Sequence, residues 1–132
     1  MPELINPPSL PQPRGFSHAV AVPPGRTIYL AGQGGHRQDG TLAGPGLLEQ
    51  LDQALANVVL AVREAGGQSE HLVQVQILVT DAASYRGRLR EIGEVWRRHL
   101  GPHYPAVALF EVTGLFDPNA VVELVCLAVV PD

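Results

Sequence analysis

Apolar residues recur along this chain with two periods, and the points where one gives way to the other divide it into elements. Between about Gly46 and Ala65, the residues Leu47, Leu48, Leu51, Leu55, Val58, Val59 and Val62 follow the i, i+3/i+4, i+7 rule. They predict a helix with one apolar stripe. Pro45 near its start and Gly66-Gly67 after its end match the usual asymmetry of helix termini. Glu49, Asp52, Gln53, Arg63 and Glu64 fall on the other side, so the helix should lie with one face on a sheet. A second helix is expected over Tyr85–Leu100, with Asp81 or Ser84 as N-cap and Gly101-Pro102 as its stop. Leu89, Ile92, Trp96 and Leu100 supply its buried stripe.

The other period is two. His71–Thr80 alternates Leu72, Gln74 and Gln76 with Val73, Val75 and Ile77, then runs continuously apolar, which predicts a long strand. Ala106–Thr113 and Ala120–Val130 read as two more strands, separated by the turn Phe116-Asp117-Pro118-Asn119. Near the start, Ser17–Val22 and Arg26–Ala31 are short β-type runs joined by Pro23-Pro24-Gly25, a pattern that suits a hairpin. Before them Ile5–Pro13 holds four prolines, so residues 1–14 are expected to form an extended arm. The resulting order is ββαβαββ, with strands grouped at both ends. A purely parallel sheet would need a helix between every pair of strands. The order therefore predicts an α+β fold over residues 1–132, one domain with a mixed sheet and two helices on one face.

Composition narrows the chemistry. The chain has 132 residues and 14.1 kDa, of which 45% are hydrophobic, enough for a core without staples. Its net charge is −4, and its nine basic residues are all arginine. The absence of lysine excludes Schiff-base catalysis and a P-loop. A weakly acidic chain with scattered arginines also lacks the footprint of a nucleic-acid binder. The one cysteine, Cys126, lies in an apolar run and reads as a buried, inert thiol. Met1–Pro13 has no basic segment followed by an apolar stretch, and no run is long enough for a membrane helix. A cytoplasmic location and no membrane partner are the expectations.

Most motif matches fail on local geometry. Gly32-x-Gly34-x-x-Arg37 lacks the third glycine of the dinucleotide fingerprint, and no helix follows at once to receive a phosphate. His99 and His103 have metal-pair spacing, but Gly101-Pro102 between them breaks the helix, so no metal site is expected. Ser17 and His18 are neighbours in a strand and point to opposite faces. Arg86, Arg88, Arg90, Arg97 and Arg98 read as a solvated helix face partly offset by Glu91 and Glu94, with no interleaved aromatics for stacking on RNA bases. Glu123 stands out as the one charge between Ala120 and Val129. A carboxylate there either faces solvent on an open sheet face or sits partly buried with a raised proton affinity, which would suit a general base.

Taken together, these segments resemble the Rid family (RidA/YjgF, once labelled endoribonuclease L-PSP) over nearly the whole chain. Gly15-Phe-Ser-His-Ala-Val20 is similar to the family's Gly-Pro-Tyr-Ser-Gln-Ala-Val segment, and Ile28-Tyr-Leu-Ala-Gly-Gln33 to its second strand. Asn57 and Glu64-Ala-Gly66 match its first helix, and Val79-Thr-Asp81, Tyr104-Pro-Ala106, Glu111-Val112 and Val122-Glu-Leu124 fall at later landmarks. The resemblance implies a chorismate-mutase-like fold, a homotrimer with small-molecule clefts between subunits, and cofactor-free hydrolysis of reactive enamines and imines. In that chemistry an arginine holds the substrate carboxylate and a glutamate handles the attacking water. Glu123 falls at the glutamate position, and Gly32 and Gln33 at the cleft-lining pair.

Three positions depart from the pattern. Val107 replaces the carboxylate-binding arginine, Phe16 replaces the cleft tyrosine, and Leu109 stands where a cysteine or small residue is expected. Losing the arginine removes a planar, charged fork. All three changes are apolar, so the resemblance implies a cleft of one glutamate and apolar walls with a less acidic ligand, unless Arg14 or Arg26 returns the charge. Two functions follow: an enamine or imine deaminase of altered specificity with Glu123 as base, or a non-catalytic trimeric module that binds a metabolite.

Overall fold

The apolar stripe of the first helix becomes its buried face. In a computed structural model that describes residues 2–132, α1 spans Leu47–Glu64 and buries Leu47, Leu51, Leu55, Val58, Val59 and Val62, with Ala54 and Gln50 between them. Its end is a Schellman turn. Gly66 adopts φ +92°, its N–H donates to Arg63 O, and Gly67 N–H donates to Val62 O. Arg26 completes the cap by donating from Nη2 to Ala65 O at 2.6 Å, a cation at the negative end of the helix.

Among the described residues there are seven strands: β1 (Glu3–Ile5), β2 (Ala19–Ala21), β3 (Gly25–Tyr29), β4 (Gln33–Gly34), β5 (Leu72–Val79), β6 (Ala106–Glu111) and β7 (Val122–Pro131). The main sheet runs β3-β7-β5-β6, with β4 also on β7; β5 and β6 are parallel and the other pairs antiparallel. This is the mixed sheet that the element order predicts. Val75 lies beside Cys126 and Val107, and Ile77 beside Leu124 and Leu109, so these side chains share one face. That face meets α1 and α3 (Leu89–Leu100), and together they form the core. Burial pushes the Cys126 thiol up to about 12, as fits an inert core residue. No helix among the described residues is long and apolar enough to cross a membrane.

Three local expectations are corrected. Ser17–Val22 and Arg26–Ala31 do not pair as a hairpin: β2 pairs antiparallel with β1, and β3 pairs with β7. Pro23-Pro24 links the two strands with only a bend at Pro24, and docking on β7 lets Ile28 face inward beside Ala128. The proline-rich arm therefore contributes a strand at its start. The second helix is also two helices, α2 (Ala82–Arg86) and α3, because the chain leaves helical geometry at Arg88 (φ −130°, ψ 28°). Asp81 caps α2 by accepting from Ser84 N–H at 3.0 Å; Ser84 is not the cap. Finally, Leu89 is 58% exposed at the first position of α3, and Val95 takes its place in the buried stripe.

Candidate functional site

The side chains of Phe16, Val107 and Leu109 meet in one cavity. Ser17 fastens the segment before β2 onto the start of β6: its N–H donates to Pro105 O at 2.9 Å and its Oγ to Tyr104 O at 2.6 Å. Phe16 is thereby laid against the sheet, with its ring edge-on to His18 at 5.1 Å. Val107 and Leu109 form the floor because they share the helix-side face with Val75 and Ile77. The cavity measures about 650 Å3, and Tyr104 and Trp96, whose rings stack 6° from parallel, line it. Trp96 Nε1 donates to His103 O at 3.1 Å and so is fixed.

This cavity is not purely apolar. Arg14, Arg90 and Arg97 line it, and no acidic side chain does. Arg14 thus reaches the site, whereas Arg26 is committed to the α1 terminus. The solvated-face reading of the α3 arginines holds for Arg88, paired with Glu91 at 2.9 Å, and for Arg98, paired with Asp52 at 3.0 Å. Arg90 and Arg97 are exposed as well, but the helical turn also brings them to the rim of the cavity.

Glu123 stands elsewhere. On β7 it pairs with Leu78 of β5 and Gly34 of β4, so its side chain leaves the sheet on the face that the helices do not cover. There it is half-buried and lies on Gly32. A Cβ at position 32 would press on the carboxylate oxygen and come within 2.8 Å of Cδ, so only glycine admits Glu123 in this pose. Among the described residues nothing donates a hydrogen bond to this carboxylate. A hollow of about 430 Å3 adjoins it, lined also by His36, Asp117 and the fully exposed Phe116. Gln33 does not join Glu123. It pairs with Leu124, so it turns to the helix side and lines, with Gln53 and Asn57, an adjoining depression that shares Gly32, Gly34 and His36 with that hollow.

Buried polar side chains on α1 hold this second region in shape. Gln50, fully buried, accepts from Val121 N–H at 2.8 Å and donates to Gly44 O and Asn119 O. Asn57 donates to Gly34 O and to His36 O. His36 Nε2 lies 2.8 Å from Asp117 Oδ2. The Asn119 N–H, and after it His36, hold the Asp117 carboxyl below its ordinary value. The sequence offers no signal for the His36–Asp117 pair, which joins loops 81 residues apart. His99 and His103 have separate partners, Asp52 Oδ1 at 2.6 Å and Leu72 O at 2.7 Å. Among the described residues no three His, Cys, Asp or Glu side chains gather as metal ligands would.

One chain therefore carries two candidate regions, a basic and apolar cavity beside α3 and, on the opposite sheet face, the hollow that holds Glu123. Comparison with known proteins gives the family. Residues 9–130 match the family described as Endoribonuclease L-PSP. The human 2-iminobutanoate/2-iminopropanoate deaminase is 30% identical over 76% of this chain and 69% of its own length. The protein of the same name from Dermatophagoides farinae is 30% identical over 96% of this chain and 95% of its own. The crystal structure of YyfB from Yersinia pestis, a Rid-family protein of unknown function, superposes with a TM-score of 0.88 at 30% identity and covers 98% of both chains. The α+β fold, its sheet order and these matches agree: the chain belongs to the Rid/YjgF family.

Proposed function

We propose that the chain is a cofactor-free hydrolase of reactive enamines and imines, a Rid-type deaminase with altered specificity that works as a cytoplasmic homotrimer. The observation that carries this reading is Glu123, a carboxylate held on bare glycine with both oxygens free of protein donors. Such a group can accept a proton from water as the oxygen attacks an imine carbon. Hydration of C=N gives a carbinolamine; transfer of the proton to nitrogen then lets ammonia leave and a C=O form. An enamine enters the same path after protonation at carbon. The deaminase names of the relatives support this reaction class.

Glu123 and Val107 occupy opposite faces of one sheet, so both act on one ligand only across a subunit boundary. The uncovered face supports such an assembly: Val125, Leu127 and Val129 point outward from β7, and Tyr29 beside Leu127 is 81% exposed. In this arrangement Gly32 and Glu123 of one protomer face the Phe16–Val107–Leu109 cavity of the next. Gln33 turns toward α1 and lines the adjoining depression beside Gly32.

The test is ammonia release from 2-aminoacrylate and larger enamines generated in situ, with Glu123→Ala as control. The native protein should exceed the buffer rate and the variant should not. No rate above buffer on a broad panel would overturn the hydrolase. A ligand bound without turnover would instead mark a metabolite-binding module, the reading that the loss of arginine at Val107 favours.

A further inference from the structure

The charge missing at Val107 has a replacement on the opposite wall. Arg90, Gly93 and Arg97 follow one another at i, i+3 and i+7 along the face of α3 that overlooks the cavity. Because Gly93 has no side chain, Arg97 folds onto the helix there, with Nη1 3.2 Å from where a Cβ would stand. Arg14 comes from the arm on the other side. None of these three guanidinium groups makes an ion pair or a side-chain hydrogen bond among the described residues, and no carboxylate lines the cavity to neutralise them. On a chain of net charge −4, three exposed cations without an ion-pair partner thus rim one apolar hollow, while Glu94 of the same helix does not line it. The Tyr85 hydroxyl in the same wall is pushed up to about 12 by burial, so it stays a neutral donor.

We propose that this cavity binds organic acids with a bulky apolar or aromatic body, the carboxylate held by Arg90 and Arg97 of α3 with Arg14 and the body lying over Val107 and Leu109 against Phe16 and Trp96. A cavity of about 650 Å3 is in the range of small-molecule sites. The acid group enters from the helix wall, so a strand arginine at position 107 is not needed and its site is free for the ligand's body. This inference rests on the deaminase reading only for the identity of the acid, a 2-imino acid with a large side chain; the binding itself stands apart from turnover.

Trp96 is the one tryptophan of the chain and lines the cavity, so its fluorescence reports occupancy. The probes are 3-phenylpropanoate, its uncharged counterpart 3-phenylpropanamide, and propanoate as the acid without a body. We expect 3-phenylpropanoate to change the emission saturably, and the amide and propanoate to bind roughly tenfold more weakly or worse. Arg90→Gln with Arg97→Gln should weaken the acid by roughly tenfold and leave the amide unchanged; Arg86→Gln, outside the cavity, should change neither. Equal binding of acid and amide, an acid affinity unaltered by the double substitution, or no response to 3-phenylpropanoate would each overturn the proposal. Arginine-dependent binding without ammonia release removes the deaminase and keeps this site. Ammonia release whose KM ignores the double substitution does the reverse.

Discussion

At the scale of single residues, two side chains owe their behaviour to what surrounds them. Glu123 holds its pose because position 32 is bare, and the contact is with the flexible end of the side chain. Gly32→Ala should therefore leave the melting temperature nearly unchanged while displacing the carboxylate, and ammonia release should fall toward the Glu123→Ala level. Cys126 is the contrasting case. With its thiol pushed up to about 12 by burial, it stays protonated and enclosed at ordinary pH. A water-soluble thiol reagent at pH 8 should label it only after denaturant unfolds the chain. Rapid labelling of the native protein would mean that β7 opens locally. Glu123 and Cys126 were both legible in the sequence, since each is an exception within an apolar run. Arg90 and Arg97 were not, because their role depends on which way α3 turns once the chain breaks at Arg88.

Among the elements, the long periodic ones could be read directly. The α1 stripe and the alternation in β5 are strong enough to fix which face is buried. The short N-terminal strands could not be read in this way, since two- to five-residue runs carry no periodicity and their partners are chosen by tertiary contact. Gln50 shows what joins the two classes. It lies in the buried stripe of α1, where an apolar residue would satisfy the pattern, yet its amide fastens the backbone at Gly44, Asn119 and Val121. Gln50→Leu should cost about 1–3 kcal/mol in urea unfolding, because it leaves a buried N–H without a partner. Its effect should extend to the turn that carries Asp117 and thus to the hollow beside Glu123. A variant as stable as the native protein would show that water replaces the amide there.

For the whole molecule, the decisive property is that the sheet has one covered face and one uncovered face. Leu127 projects from the uncovered side and takes no part in the core. Leu127→Glu should keep the circular dichroism of the native chain but shift its sedimentation from trimer to monomer, and ammonia release should vanish with the trimer. A native protein that sediments as a monomer would remove the shared cleft altogether. The fold class was legible from element order alone, but the placement of Val107 and Glu123 on opposite sheet faces was not. A linear pattern assigns each strand residue a parity, and only the strand pairing shows that the parities of Val107 and Glu123 point to opposite sides.

That opposition has a genetic consequence. Each cleft of the proposed trimer draws its carboxylate from one protomer and its guanidinium groups from another, so the two functions lie on separate chains and can complement. A Glu123→Ala protein, inactive alone, and an Arg90→Gln, Arg97→Gln protein, which alone binds the acid roughly tenfold more weakly, should recover activity of native affinity when they are unfolded together and refolded as mixed trimers. Random assortment gives about a quarter of the clefts both intact halves. Recovery near that level would mean that a cell carrying two different defective alleles still has a working enzyme.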